Sequence, residues 1–82
     1  MPLVEVTWID ACSSGGPGWV DREEALEFAV EPAPVMRTIG FLIHEDFDEE
    51  VGFVALTDTI GDDECACVHK IPYSMILSRR PL

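Results

Sequence analysis

Five short strand-forming runs, cut apart by turn signals and one brief helical stretch, set the terms for this 82-residue chain. Leu3 to Asp10 alternates, with Val4, Val6 and Trp8 on one face and Glu5 and Thr7 on the other, as in a half-buried strand. The next two runs are different, because both of their faces are largely apolar. In Val35 to Ile43, the positions Val35, Arg37, Ile39, Phe41 and Ile43 oppose Met36, Thr38, Gly40, Leu42 and His44. Gly40 in mid-strand predicts a bulge or sharp bend, as at a barrel corner. Val51 to Thr57 is the third strand and Cys65 to Ile71 the fourth, with Cys65, Cys67, His69 and Ile71 on one side. Pro72-Tyr73-Ser74 breaks the ladder as a tight helical turn. Met75 to Ser78 follows as a short fifth strand, and residues 79–82 are a tail.

The long first connection carries the helix. Asp21 and Glu24 have capping-box spacing, and Val20 and Ala25 occupy the staple positions. Residues 22 to 29 then form about two turns that pack Leu26 and Phe28. Glu31-Pro32-Ala33-Pro34 ends the helix and holds the chain extended. The expected fold is mainly β: a small five-stranded SH3-like or Sm-like barrel spanning residues 1–82 as one domain, its helix covering an open end. An open antiparallel sheet with the helix packed on one face is the alternative.

A lone antiparallel sheet usually shows water one polar face. The second and third strands lack one. Covering each outward side chain of this size is worth about 1.5–3 kcal/mol, so the chain is expected to associate with itself through strand edges or outer faces.

Between the first strand and the helix lies Trp8-Ile9-Asp10-Ala11-Cys12-Ser13-Ser14-Gly15-Gly16-Pro17-Gly18-Trp19. Gly15, Gly16 and Gly18 open backbone angles closed to other residues, and Ser13 and Ser14 add short hydroxyls. Trp8 and Trp19 bring flat apolar faces suited to stacking on a planar ligand, and Asp10 an acceptor for its amino or hydroxyl groups. The candidate ligand-binding set is Trp8, Asp10, Ser13, Ser14, Gly15, Gly16, Trp19 and Arg37. The same residues also read as a core tryptophan, a plain turn and its cap. Arg37, the one cation inside an apolar strand, needs an anion if buried, either Asp10 or Asp58 internally or a ligand phosphate or carboxylate.

Cys65, Cys67 and His69, with Cys12, match a zinc donor set in type, but alternate residues of a strand lie about 7 Å apart and converge poorly. Three cysteines do not pair evenly, so reduced thiols are expected. Asp46-x-Asp48-Glu49-Glu50 lacks the glycine and distant carboxylate of a calcium loop. The serines and histidines show no nucleophile spacing, so no enzyme, metal or cofactor is expected.

Five Lys and Arg stand against sixteen Asp and Glu, a net charge of −11, which argues against binding a nucleic-acid backbone directly. It leaves solubility, or mimicry of nucleic acid toward a basic host protein. No signal-peptide layout or membrane-length apolar run is present, and a cytoplasmic location is expected.

In Val6-x-Trp8-x-Asp10, Gly16 and Trp19, Ile39-Gly40-Phe41-Leu42, and Ile71-Pro72 with Ile76, the chain resembles a loose group of small tailed-bacteriophage proteins. The resemblance implies a host bacterial cell and either interference with host defence or a minor structural role in the phage cycle. Two functions follow as expectations. One is a homo-oligomer that sequesters a small nucleotide-type immune signal, such as a cyclic nucleotide. The other is an acidic inhibitor presenting 45–50 and 62–64 to a host defence protein.

Overall fold

The computed structural model describes residues 1–13, 16 and 18–82. Along the chain run β1 (Leu3–Ile9), α1 (Arg22–Val30), β2 (Val35–Asp46), β3 (Phe53–Ile60), β4 (Cys65–Pro72), a 3₁₀ turn (Tyr73–Met75) and β5 (Ile76–Pro81). The fold is mainly β. The five strands form one antiparallel sheet in the order β4-β3-β2-β1-β5.

Register decides which residues share a face. Val4 lies opposite Gly40, Val6 opposite Thr38 and Trp8 opposite Met36, and these pairs form the inner face. Thr7 opposite Arg37, Glu5 opposite Ile39 and Ile9 opposite Val35 form the outer one. The core joins Val4 and Val6 of β1 to Val54 and Leu56 of β3 and Ile71 of β4. Because β2 lies between β1 and β3, that cluster requires the sheet to curl over β2. A register irregularity between Leu42 and His44 supplies local bend, as bulges do. Gly40, expected as the bend itself, has another task. A Cβ there would lie 2.8 Å from the Thr57 carbonyl oxygen, so the glycine admits the backbone of β3 at close range.

The expected barrel does not close. β4 and β5 are the two edges of the sheet, and neither is shaped to pair. β5 carries Arg79, Arg80 and Pro81, charge and proline being common guards of an exposed edge. In β4, Cys67 takes a left-handed conformation at φ 55°, and the ladder skips from Val68 opposite Thr57 to Ala66 opposite Thr59. One corner is nonetheless tied. The Tyr73 N–H donates to Gly52 O at 3.0 Å, the Tyr73 hydroxyl donates to Glu45, and Arg79 meets the same Glu45 carboxylate at 3.0 Å.

The two strands with apolar faces on both sides separate in fate. Val54, Ala55, Leu56 and Thr57 of β3 are all buried, so this strand does not offer the outward oily surface its sequence implies. It runs between β2 and β4, and larger neighbours shade its small residues. Lys70 places its ammonium 5.1 Å from the Phe53 ring centroid, and the His44 ring lies 6.0 Å from the same centroid. β2 keeps its bare surface, with Val35 and Ile39 exposed.

Helix α1 lies one residue off its expected bounds, but Leu26 is not packed. No residue of α1 is buried, and Phe28 alone is half-covered. Glu31 leaves the helix at φ −72° and ψ 143°, as a residue before proline prefers, and Pro32 and Pro34 keep the return extended. The helix therefore stands off the sheet. The radius of gyration is 16.4 Å, with extents of 51 × 25 × 23 Å, against about 12 Å for a compact chain of this length. No helix among the described residues is long and apolar enough to cross a membrane.

Candidate functional site

The described residues between Asp10 and Pro34 form an arm whose neck is closed by the Asp10 N–H donating to Pro34 O at 3.0 Å. Its helix starts where expected: the Asp21 carboxylate accepts the Glu23 N–H at 3.2 Å, and Glu23 and Glu24 put negative charge at the positive end of the helix dipole. Gly16 has φ +54°, a conformation that favours glycine, so the loop uses the freedom its sequence provides.

Two grooves flank Phe28. One, of about 320 Å³, is lined by Ser13, Val20, Glu24, Ala25 and Phe28. The other, of about 420 Å³, lies among Ala11, Cys12, Phe28, Ala29 and the Glu31–Pro34 return. Phe28 is the wall they share. Sequence reasoning treated Phe28 as packing and missed it as a site residue, although an aromatic on a short, acidic helix was a signal.

The candidate residues do not converge. Trp8 sits on the inner face of the sheet, packed on the core, and its Nε1–H donates to the Thr38 hydroxyl at 2.9 Å. Trp19 is fully exposed on the arm, apart from Trp8 in setting and role. Asp10 is half-buried at the neck, Ser13 and Gly16 are exposed, and Ser14 and Gly15 lie outside the described residues. Arg37 is exposed on the outer face, the opposite side of the sheet from Trp8. The premise of a buried guanidinium therefore fails: β2 is covered on its inner side, and Arg37 alternates to the other. The described ion pairs are Arg79–Glu45 and Arg80–Glu5, and neither uses Arg37.

The remaining polar clusters serve the fold. Burial pulls the Glu45 carboxyl up, but the Tyr73 hydroxyl and the Arg79 guanidinium outweigh it and hold Glu45 below the usual carboxylate range. Burial first, and the adjacent Glu45 second, push the Tyr73 hydroxyl up to about 12. In the acidic turn, the Asp48 carboxylate accepts the N–H groups of Val51 and Glu50 at 3.0 and 2.9 Å, which lowers its pKa. Cys12, Cys65 and Cys67 are free and exposed. The neighbouring Asp58 carboxylate raises the Cys67 thiol, the reverse of what a nucleophile needs. Among the described residues no three of His, Cys, Asp or Glu gather as a metal would require. The register is unchanged across Cys67, so Cys65 and His69 stay on one side as expected, while Cys67 between them departs locally at φ 55°.

No protein-family model matches the chain, and no curated protein or solved structure matches it at a significant level. Its function is read from its own residues.

Proposed function

We propose that the chain is a non-enzymatic binding protein that holds a small polar planar ligand of nucleotide type on its arm, within a homo-oligomer. Its resemblance to tailed-phage proteins gives the setting: removal of a signalling nucleotide on which host defence depends. The observation that carries this is the fully exposed indole of Trp19 on the arm that also bears the Ser13–Phe28 groove. An indole of that size left in water is costly, and a stacked planar base covers it while the serine hydroxyl and indole N–H supply polar contacts. Trp8 and Arg37 drop out of the contact set under this reading, because each faces elsewhere. The strand order and the 3₁₀ turn before β5 support reading the sheet as an opened SH3-like barrel, with the Glu45–Tyr73–Arg79 corner in place of closure.

Calorimetry with cyclic and linear nucleotides tests the proposal. Binding is expected for one class, with the nucleotide recovered intact, and Trp19→Ala or Phe28→Ala should weaken it at least tenfold. Silence across the panel, or unchanged affinity in Trp19→Ala, refutes it.

The acidic-inhibitor reading draws support from the net charge of −11. Its two clusters flank the eight-residue β3 at opposite ends, roughly 25 Å apart at strand rise, and Glu45 and Asp48 are already engaged. A partner complex that weakens steeply with salt would favour it over the ligand.

A further inference from the structure

We propose that α1 of one copy docks on the outer β1–β2 face of a second copy, and that the exchange is reciprocal. The proposal rests on the homo-oligomer of the function above, not on its ligand. It starts from the helix. An isolated helix shorter than about 12–15 residues is marginal in water, and α1 has nine. Its support within the chain is Phe28 against the connecting segments. Leu26 and Val30, one turn apart on another side, are 62% and 73% exposed. The rigid return through Pro32 and Pro34 keeps that side off its own sheet.

The outer sheet face offers the complement. Val35 and Ile39 are 57% and 53% exposed, and Arg37 stands between them on the same face. Glu23 and Glu27 lie one turn apart along one side of the Leu26–Val30 stripe, with Arg22 on the other side, so an acidic edge meets the Arg37 guanidinium when helix meets sheet. Helix on helix would instead set carboxylate against carboxylate. Edge pairing is disfavoured at both ends of the sheet, by the left-handed kink at Cys67 on β4 and by Arg79, Arg80 and Pro81 on β5. A standard interface needs about 800 Å² from each partner, about an eighth of this chain's 6425 Å². A two-fold exchange uses helix and face twice, which is how an arm this small can reach it.

Light scattering and native mass spectrometry on the full chain, without added ligand, test the proposal. Wild type is expected at twice 9.1 kDa or an even multiple. Leu26→Asp with Val30→Asp should give a single-chain particle with an unchanged β circular-dichroism signal. Arg37→Glu alone, and Glu23→Arg with Glu27→Arg, should each weaken association about tenfold or more, and all three changes in one chain should restore it. A single-chain wild type at every concentration overturns the proposal. So do an odd-numbered ring, an assembly indifferent to the aspartates, or a triple variant that fails to recover. Because no nucleotide is present, these outcomes are separate from the calorimetry: the chain can lose the docking and keep the ligand, or the reverse.

Discussion

β3 and α1 differ by one residue in length and lie in nearly opposite surroundings. From Val54 to Thr57 every side chain of β3 is buried, whereas α1 buries none of its residues. β3 gains cover because a curled sheet gives a middle strand neighbours on both flanks and a folded-over inner face. α1 is joined to β2 by an extended return through Pro32 and Pro34 that carries it away from any such cover. The difference shows two economies in one short chain: a sheet that satisfies itself, and an arm whose apolar residues are directed outside the molecule.

The comparison breaks first on large-to-small substitutions. Leu56→Ala should cost about 2–5 kcal/mol, enough to unfold much of so small a domain. The matching change in the arm, Leu26→Ala, should move the stability of the dilute single chain by no more than about 0.5 kcal/mol. Urea unfolding followed by circular dichroism reads both. Equal losses would mean that the helix packs on the sheet after all.

Glycines sharpen the contrast at a smaller scale. A Cβ at Gly52 would lie 2.5 Å from Asp46 O, 2.8 Å from Tyr73 Cδ2 and closer still to Asp48 O, whereas one at Gly18 meets nothing within 4 Å. Gly52→Ala should therefore cost about 1–3 kcal/mol. Gly18→Ala should stay within about 0.5 kcal/mol. The same urea curves decide it.

The smallest effect is on pH. Glu45 and Asp48 are depressed in the folded chain, so their contribution is full above the ordinary carboxylate range and fades as pH falls through their folded values. Tyr73 is raised to about 12, so its contribution is full below its ordinary value near 10 and is lost as pH climbs from there through about 12. Melting temperatures measured across pH should show both limbs. Tyr73→Phe should remove the hydroxyl's share of the alkaline limb and shift the acid limb upward, as Glu45 loses a donor. Trp19→Ala should leave both limbs where they are.

Much of the sheet was legible in the chain. The alternation of Val4, Val6 and Trp8 located β1 and its inner face, and each later strand begins within two residues of its sequence-based start. The helix start was legible too, since Asp21 followed by two glutamates is a local signal. What local pattern does not carry is the choice among faces. Apolar residues on both sides of a strand fit a buried middle position, as in β3, and equally a bare outer face, as on β2; strand order settles which. Arg37 was misjudged for the same reason, its neighbours in sequence being apolar while its own side of the strand meets water. The Glu45–Tyr73–Arg79 tie joins residues 28 and 34 positions apart, beyond the reach of any spacing rule. The candidate site was legible as a loop but not as a set, because Trp8 and Trp19 bracket it in sequence without meeting in space.

That separation leaves the molecule with two optical labels of its own. Trp8, half-covered and hydrogen-bonded to Thr38, should emit toward the blue and resist quenching by iodide. Trp19, bathed in solvent, should emit like free indole and quench readily. A spectrum resolved by quencher accessibility therefore reports sheet and arm independently, in an unlabelled sample, and shows which of them responds when anything is added.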